Sequence, residues 1–236
     1  MAKASGDLVA AFGSEEVVGD EVPPSWNVAP TDPVRIVTGR GPGDDMSRRL
    51  ETARWGLVPP WAKSRGVGAR SINARSETVL EKPTFRSAAV KRRALVPAEG
   101  YYEWQVAGGE KIPTYLHPAG GGVLAFAGLY EFWRDPDVAE GGPGEWLVTT
   151  TILTRPATDT LGHIHDRTPV VVPADLLDDW LDPGLTDKGL IRSLLDAIPD
   201  PELVPLEVGK AVGNVRNNGP DLIEPAPRHG AAGTAE

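Results

Sequence analysis

Along this chain, apolar residues alternate with polar ones more often than they recur every third or fourth position, so the sequence reads mainly as strands. The strongest patterns are "VLAFAGLYEFW" and "EWLVTTTIL", dense in β-branched and aromatic residues and bounded by turn formers. "LETARWGLVP", a strand around Val34–Val37, two strands within "RRALVPAEGYYEWQV" and the late "LVPLEVG" follow the same pattern. "VPPSWNVAPTDPVRIV" is too rich in proline for a helix and reads as an extended lead into a strand. "GRGPGDDMSRR", Gly108–Lys111, Pro118–Gly122 and Asp135–Glu145 read as hairpin or surface loops. Helical spacing is confined to short stretches. Ser5 or Asp7 caps a helix through Phe12, a second lies near Thr84–Val90, and Pro173 opens a third in "PADLLDDWLD". Thr186 caps a fourth in "TDKGLIRSLLDAI", with Leu190, Ile191, Leu194, Leu195 and Ile198 on one side. Many strands, few helices and no regular strand–helix alternation predict an α+β fold, with a mostly antiparallel, barrel-like β core and flanking helices. We expect a single domain over residues 1–224 and a disordered C-terminal tail over 225–236, where "PAPRHGAAGTAE" has nothing to bury.

Composition narrows the function. No apolar run is long enough to span a membrane, and no basic segment followed by an apolar core marks a signal peptide. The sequence contains no cysteine, which excludes a disulfide framework, a thiolate zinc site and a cysteine nucleophile within it; a cytoplasmic protein is the default expectation. Net charge is −9, yet Met46–Arg93 holds twelve Lys/Arg against three Asp/Glu. Such a stretch either steers a polyanion to one face or disperses as solvated surface charge, and spacing alone leaves both open.

Several clusters can carry chemistry. Glu103 in "GYYEW" is a strand carboxylate among aromatic residues; if burial raises its pKa, it suits proton transfer near neutral pH, and otherwise it faces solvent. His163 and His165 in "GHIHDRTP" are two apart and share a strand face. One functional histidine fits better than a metal pair, because other ligands are few. Arg167 follows as an anion holder. Asn73 and Arg75 in "SINARSET" also share a face, and arginine binds phosphate through its planar fork. Trp55, Trp61 and Trp104 could stack on bases beside these arginines, or be buried. The asparagines and glycines of "AVGNVRNNGPDLIEP" point to a specific turn near Arg216, with a structural role.

In order, "NVAPT", "RWGLVPPWAK", "INARSET", "EKPTFR", "RRALVPAEGYYEW", "AFAGLYEFW", "IHDRTPVVV" and "VGNVRNNGPDLI" closely resemble the SOS-response-associated peptidase family, from about Asp7 to Glu224. The resemblance implies an abasic-site processing protein that binds single-stranded DNA and links to the opened sugar aldehyde through an N-terminal cysteine. In that chemistry the amine forms a Schiff base and the thiol closes it to a thiazolidine; lyase and autopeptidase activities are attributed to the family. By motif, Asn73 matches the residue that positions the N-terminal residue, Glu103 the acid/base glutamate, and His165 the histidine that assists sugar ring opening. Arg75 and Arg167 match phosphate-contacting arginines, and Asn27, Pro30, Trp61, Trp104 and Thr149 match the DNA groove and the wedge beside the lesion. We expect no cofactor or metal and a monomer; the resemblance implies abasic single-stranded DNA as the partner.

The chain departs from the family at its start, where "MAKA" stands in place of methionine, cysteine, glycine, arginine and an aromatic residue. The leading expectation is a native start upstream that supplies a first strand and the cysteine. Two alternatives stand beside it. One is a thiol-free protein that binds abasic DNA or acts as a Schiff-base lyase. The other is a hydrolase of small or peptide substrates using Glu103 and His165.

Overall fold

The computed structural model describes residues 1–41, 43–157 and 166–227. At its centre is a closed five-stranded barrel. β2 (Pro33–Arg40) pairs antiparallel with β3 (Ser47–Trp55) and β5 (Arg93–Ala98); β5 pairs with β8 (Leu124–Arg134), and β8 with β9 (Trp146–Pro156). β9 returns to β3 in parallel, Arg54 opposite Thr149 and Trp55 opposite Thr150, and this closes the ring. β1 (Glu16–Val18) extends β3, while β4 (Asn73–Arg75) and β10 (Arg167–Pro169) pair with the C-terminal part of β9. A second antiparallel sheet contains β6 (Tyr101–Ala107), β7 (Glu110–Pro118) and β11 (Leu203–Glu207). This is the α+β, mostly antiparallel barrel with flanking helices that the patterning predicts.

The barrel strands bury both faces, which is why β8 reads as an almost continuous apolar run. Val34, Ile36, Ala53, Val96, Phe126 and Ile152 fill the interior. Leu50, Leu95, Leu129 and Leu153 point outward under the helices α1 (Ser5–Phe12), α2 (Arg86–Lys91), α3 (Leu177–Leu181) and α4 (Lys188–Ala197). Trp180 of α3 is fully buried and donates its indole N–H to Ala94 O at 2.8 Å. Beside it Arg93 gives its guanidinium to the carbonyls of Trp180, Ala89, Val90 and Asp182. Burial lowers its pKa to about 10, and the four carbonyls satisfy the buried charge with dipoles.

Local details differ from the sequence reading. Neither Ser5 nor Asp7 caps α1: Ala4 takes the cap position without a side-chain bond, and Asp7 sits in the first turn, where its charge favours the helix dipole. Gly13, at φ 59°, ends that helix. Asp187, not Thr186, caps α4 by accepting the Leu190 N–H at 2.9 Å. Leu190 is 60% exposed, because the helix turns Ile191, Leu195 and the following Ile198 to the core and leaves position 190 outside that stripe. His117 lies on β7, stacked on Tyr115. The chain stays attached past residue 224: Pro225 bridges Val208 and the Ala226 N–H reaches Glu207 O at 2.9 Å.

Candidate active site

β2 and β5 pair at only two positions, Val37–Leu95 and Thr38–Ala94, and then diverge. Their separated ends open the barrel interior toward the second sheet, and a cavity of about 420 Å³ lies in the gap. Its inner wall is apolar, formed by Val34, Val96, Phe126 and Ile152; its outer wall carries Asn73, Glu103, Trp104 and Arg167.

The N-terminal segment is seated in this gap. The Met1 side chain packs against the interior cluster. The Met1 amine donates to Ser25 O at 2.7 Å and lies 3.6 Å from Glu99 Oε2. The next two N–H groups, of Ala2 and Lys3, each donate to a Glu99 carboxylate oxygen at 2.8 Å. Burial lowers the amine pKa below its ordinary 8.0, and the Glu99 charge and hydrogen bond oppose that shift.

β6 places Glu103 opposite Thr114, half-buried at the cavity wall. Two residues back on the same face, Tyr101 shares a hydrogen bond of 3.1 Å with Thr168 Oγ1; burial first, and then the Glu103 charge, raise its pKa to about 12. Gly100 lets this strand approach β7 closely: a Cβ there would sit 2.5 Å from both Leu116 O and the Tyr115 ring. Asn73 and Arg75 share a face, as their spacing predicts, with the buried Ala74 between them. Cross-strand register puts Asn73 beside Ile152, Arg75 beside Thr154 and Arg167 beside Pro156, so the three polar residues share one face of the β4–β9–β10 ribbon, with Asn73 and Arg167 at the cavity.

Asn73, Glu103, Trp104, Arg167, Asn27 and Pro30 thus line one cavity. Trp104 is 40% exposed, and Trp55 lines the cavity with its indole N–H bound to Ile72 O at 2.9 Å. Pro30 reaches the rim on a turn in which Asp32 accepts the Ala29 N–H, while Thr31 takes φ 78° and donates its N–H to Trp55 O. Arg75 and Trp61 are exposed but do not line the cavity; Trp61 belongs to a turn anchored where Ala62 O accepts the Trp133 indole N–H. His163 and His165 lie outside the described residues.

Two of the expected DNA-groove residues carry bonds within the fold. Thr149 is fully buried: its hydroxyl accepts the Val58 N–H and donates to Glu131 O, so it joins the 58–62 turn to the barrel and presents nothing to a groove. The Asn27 amide lines the cavity but donates to Val212, Asn214 and Asn217 carbonyls, stapling the 212–217 loop beside it. Asn218 completes that staple by accepting the Trp26 N–H, which bears out the structural role read for "VRNNG".

The basic stretch also divides. Arg48, Arg49 and Arg92 pair with Asp178, Glu16 and Glu131, and Arg93 is buried. Lys63, Arg65, Arg70, Arg75, Lys82, Arg86 and Lys91 remain exposed. Among the described residues no three His, Asp or Glu side chains converge as metal ligands, and no helix is long and apolar enough to cross a membrane.

Sequence reasoning missed Glu99 and Glu77. Glu99 lies in the β5–β6 turn and its partners are Ala2 and Lys3, far away in sequence. Glu77 lies inside the "SINARSET" motif; its partner is Arg167, bound through both guanidinium Nη atoms.

The barrel opening toward the second sheet thus brings polar side chains and the N-terminal segment to one cavity. The sequence profile of the SOS response associated peptidase (SRAP) family matches residues 1–215, and the chain belongs to that family. It is 37% identical over 220 residues to the abasic site processing protein YoqW of Bacillus subtilis, covering 92% of this chain and 94% of that one. It is 31% identical to the abasic site processing protein HMCES of Gallus gallus, covering 86% of this chain and 66% of the relative. A crystal structure of a Bacteroides thetaiotaomicron protein shares the fold, with TM-score 0.75, 24% identity, and coverage of 96% of this chain and 98% of that one. A Bordetella bronchiseptica structure matches with TM-score 0.69 at 26% identity, over 89% and 97% of the two chains.

Proposed function

We propose that this chain processes abasic sites in single-stranded DNA, with the cavity receiving the sugar of the base-free nucleotide. The observation that carries the reading is that Asn73, Glu103 and Arg167 line the same cavity as the seated N-terminal segment, in a chain whose relatives are named for abasic-site processing. The bound sugar is a closed hemiacetal, and exposing its aldehyde requires proton transfer. Glu103 supplies it at the cavity wall, with the His165 of the motif as second partner. The amine of the N-terminal segment then attacks the aldehyde carbon: a C–N bond forms, the carbinolamine loses water, and a Schiff base results. Burial, which lowers the amine pKa, enlarges the neutral fraction that can attack. Asn73 orients the amine, and Arg75 and the exposed lysines and arginines near it guide the phosphate backbone. Proton abstraction next to the Schiff base releases the strand by β-elimination, the lyase outcome.

The sequence contains no cysteine, and this favours the Schiff-base reading over a thiazolidine cross-link for the chain as it stands. A cysteine heading the same segment would add the thiol that closes the ring. Incubation with an abasic single-stranded oligonucleotide tests the choice. We expect an adduct that survives heating only after borohydride reduction, together with strand cleavage in its absence. A heat-stable adduct without reductant overturns the Schiff-base reading. Absence of binding at moderate salt overturns the DNA reading and points to hydrolysis of a small or peptide substrate.

A further inference from the structure

Two arginines flank β9 on one face of the ribbon, and they stand in different states. Arg75 is exposed and makes no ion pair among the described residues. Arg167 meets the Glu77 carboxylate fork to fork: Nη1 to Oε1 at 2.5 Å and Nη2 to Oε2 at 2.9 Å. This is the geometry in which a guanidinium holds two oxygens of a phosphate. The Arg167 side chain is anchored from behind, because Nη2 also donates to Thr154 O at 2.7 Å. The Glu77 backbone is anchored separately, since Arg192 donates to Ser76 O at 2.6 Å and to Glu77 O at 3.1 Å. The Glu77 side chain is the more exposed partner, 43% open to solvent against 19% for Arg167, and besides Arg167 its carboxylate accepts a long hydrogen bond of 3.4 Å from Ser76 Oγ. It can swing away while both ends of the contact keep their positions.

Resting on the proposed DNA reading, we propose that Glu77 is a built-in stand-in for a DNA phosphate, which a phosphodiester of the bound strand displaces from Arg167. The pairing keeps weaker anions off Arg167 and reserves it for a phosphate delivered by a strand already held at Arg75 and the neighbouring cations. Protonation does not drive the exchange. The arginine hydrogen bonds hold the Glu77 pKa near 2, far below neutral pH, so competition between anions opens the pair.

The test is a cycle of Glu77→Gln, Arg167→Gln and the double variant, read by titration with an abasic single-stranded oligonucleotide and by the melting shift in inorganic phosphate. Glutamine keeps the size of Glu77 and removes its charge. We expect Glu77→Gln to bind the oligonucleotide about fivefold more tightly at low salt, a gain in the range of a partly exposed ion pair. We expect it also to show a larger phosphate-dependent melting shift than the parent, and both gains to vanish in the double variant. Unchanged or weaker DNA binding by Glu77→Gln, or a gain that persists without Arg167, overturns the proposal and leaves the pair as a brace for the β4 loop. If no variant binds DNA, the DNA reading fails. The phosphate arm still decides the exchange: equal melting shifts in parent and Glu77→Gln overturn it.

Discussion

On the helix-covered side of the barrel, Arg93 is enclosed and its donors end on four backbone carbonyls; at the cavity, Arg167 pairs fork to fork with the half-exposed carboxylate of Glu77. Both guanidinium groups are hydrogen-bonded in the folded protein, but their partners differ in what can replace them. Backbone carbonyls of α2 and α3 cannot leave without unfolding those helices. A side-chain carboxylate can rotate out and be exchanged for another anion. The same contrast separates the two regions as a whole. Under the helices, buried Leu, Ala and Trp side chains pack into one apolar cluster, while the cavity side combines an apolar inner wall with polar residues, a seated chain terminus and the diverging ends of β2 and β5.

The comparison breaks first on the helix side. Trp180→Ala removes a fully buried indole and its bond to Ala94 O, and it should cost about 3–5 kcal/mol in urea unfolding. The remaining folded fraction should bind abasic DNA as the parent does; a selective loss of binding would show that the two regions are coupled. Next in size, Glu103→Gln should lower Schiff-base formation by about a hundredfold or more with stability within about 0.5 kcal/mol of the parent, as expected for a lost proton-transfer group. Retained activity would remove Glu103 from the chemistry. Asn27→Ala should cost about 1–3 kcal/mol, since three carbonyls lose one shared donor; it should also raise amide exchange across residues 212–218 more than elsewhere. Uniform exchange would contradict its role as a local staple.

The smallest effect concerns pH. Because burial lowers the N-terminal amine pKa, the borohydride-trapping rate should climb as pH rises and reach its midpoint below 8.0. Glu99 opposes that lowering, so Glu99→Gln should move the midpoint further down, by less than about one unit. A midpoint at or above 8.0 in the parent would place the attacking amine outside this environment.

Much of the cavity could be read from local sequence because its parts lie on strands. The two-residue spacing of Asn73 and Arg75 puts both on one face whichever sheet they join, and the alternation around Glu103 makes it a strand residue in any register. Thr149 shows the limit of such reading. Its motif position resembles a groove residue, but the parallel pairing of β3 with β9 buries it beneath the 58–62 turn, and that pairing joins positions almost a hundred residues apart. The cap of α4 moved from Thr186 to Asp187 for a smaller reason: either residue type can cap, and one residue of backbone phase decides which oxygen reaches Leu190.

By itself, the sequence determined the α+β class, the order of strands, the apolar faces and the residue types available for acid/base and phosphate chemistry, because these depend on local periodicity and side-chain chemistry. Only the tertiary structure decided which charges are exchangeable and which are permanent. Glu77 with Arg167, Glu99 with Ala2 and Lys3, and Asn27 with the 212–217 carbonyls all meet across long stretches of chain. Burial and donor geometry, which only the closed barrel and its second sheet create, determine what each of them does.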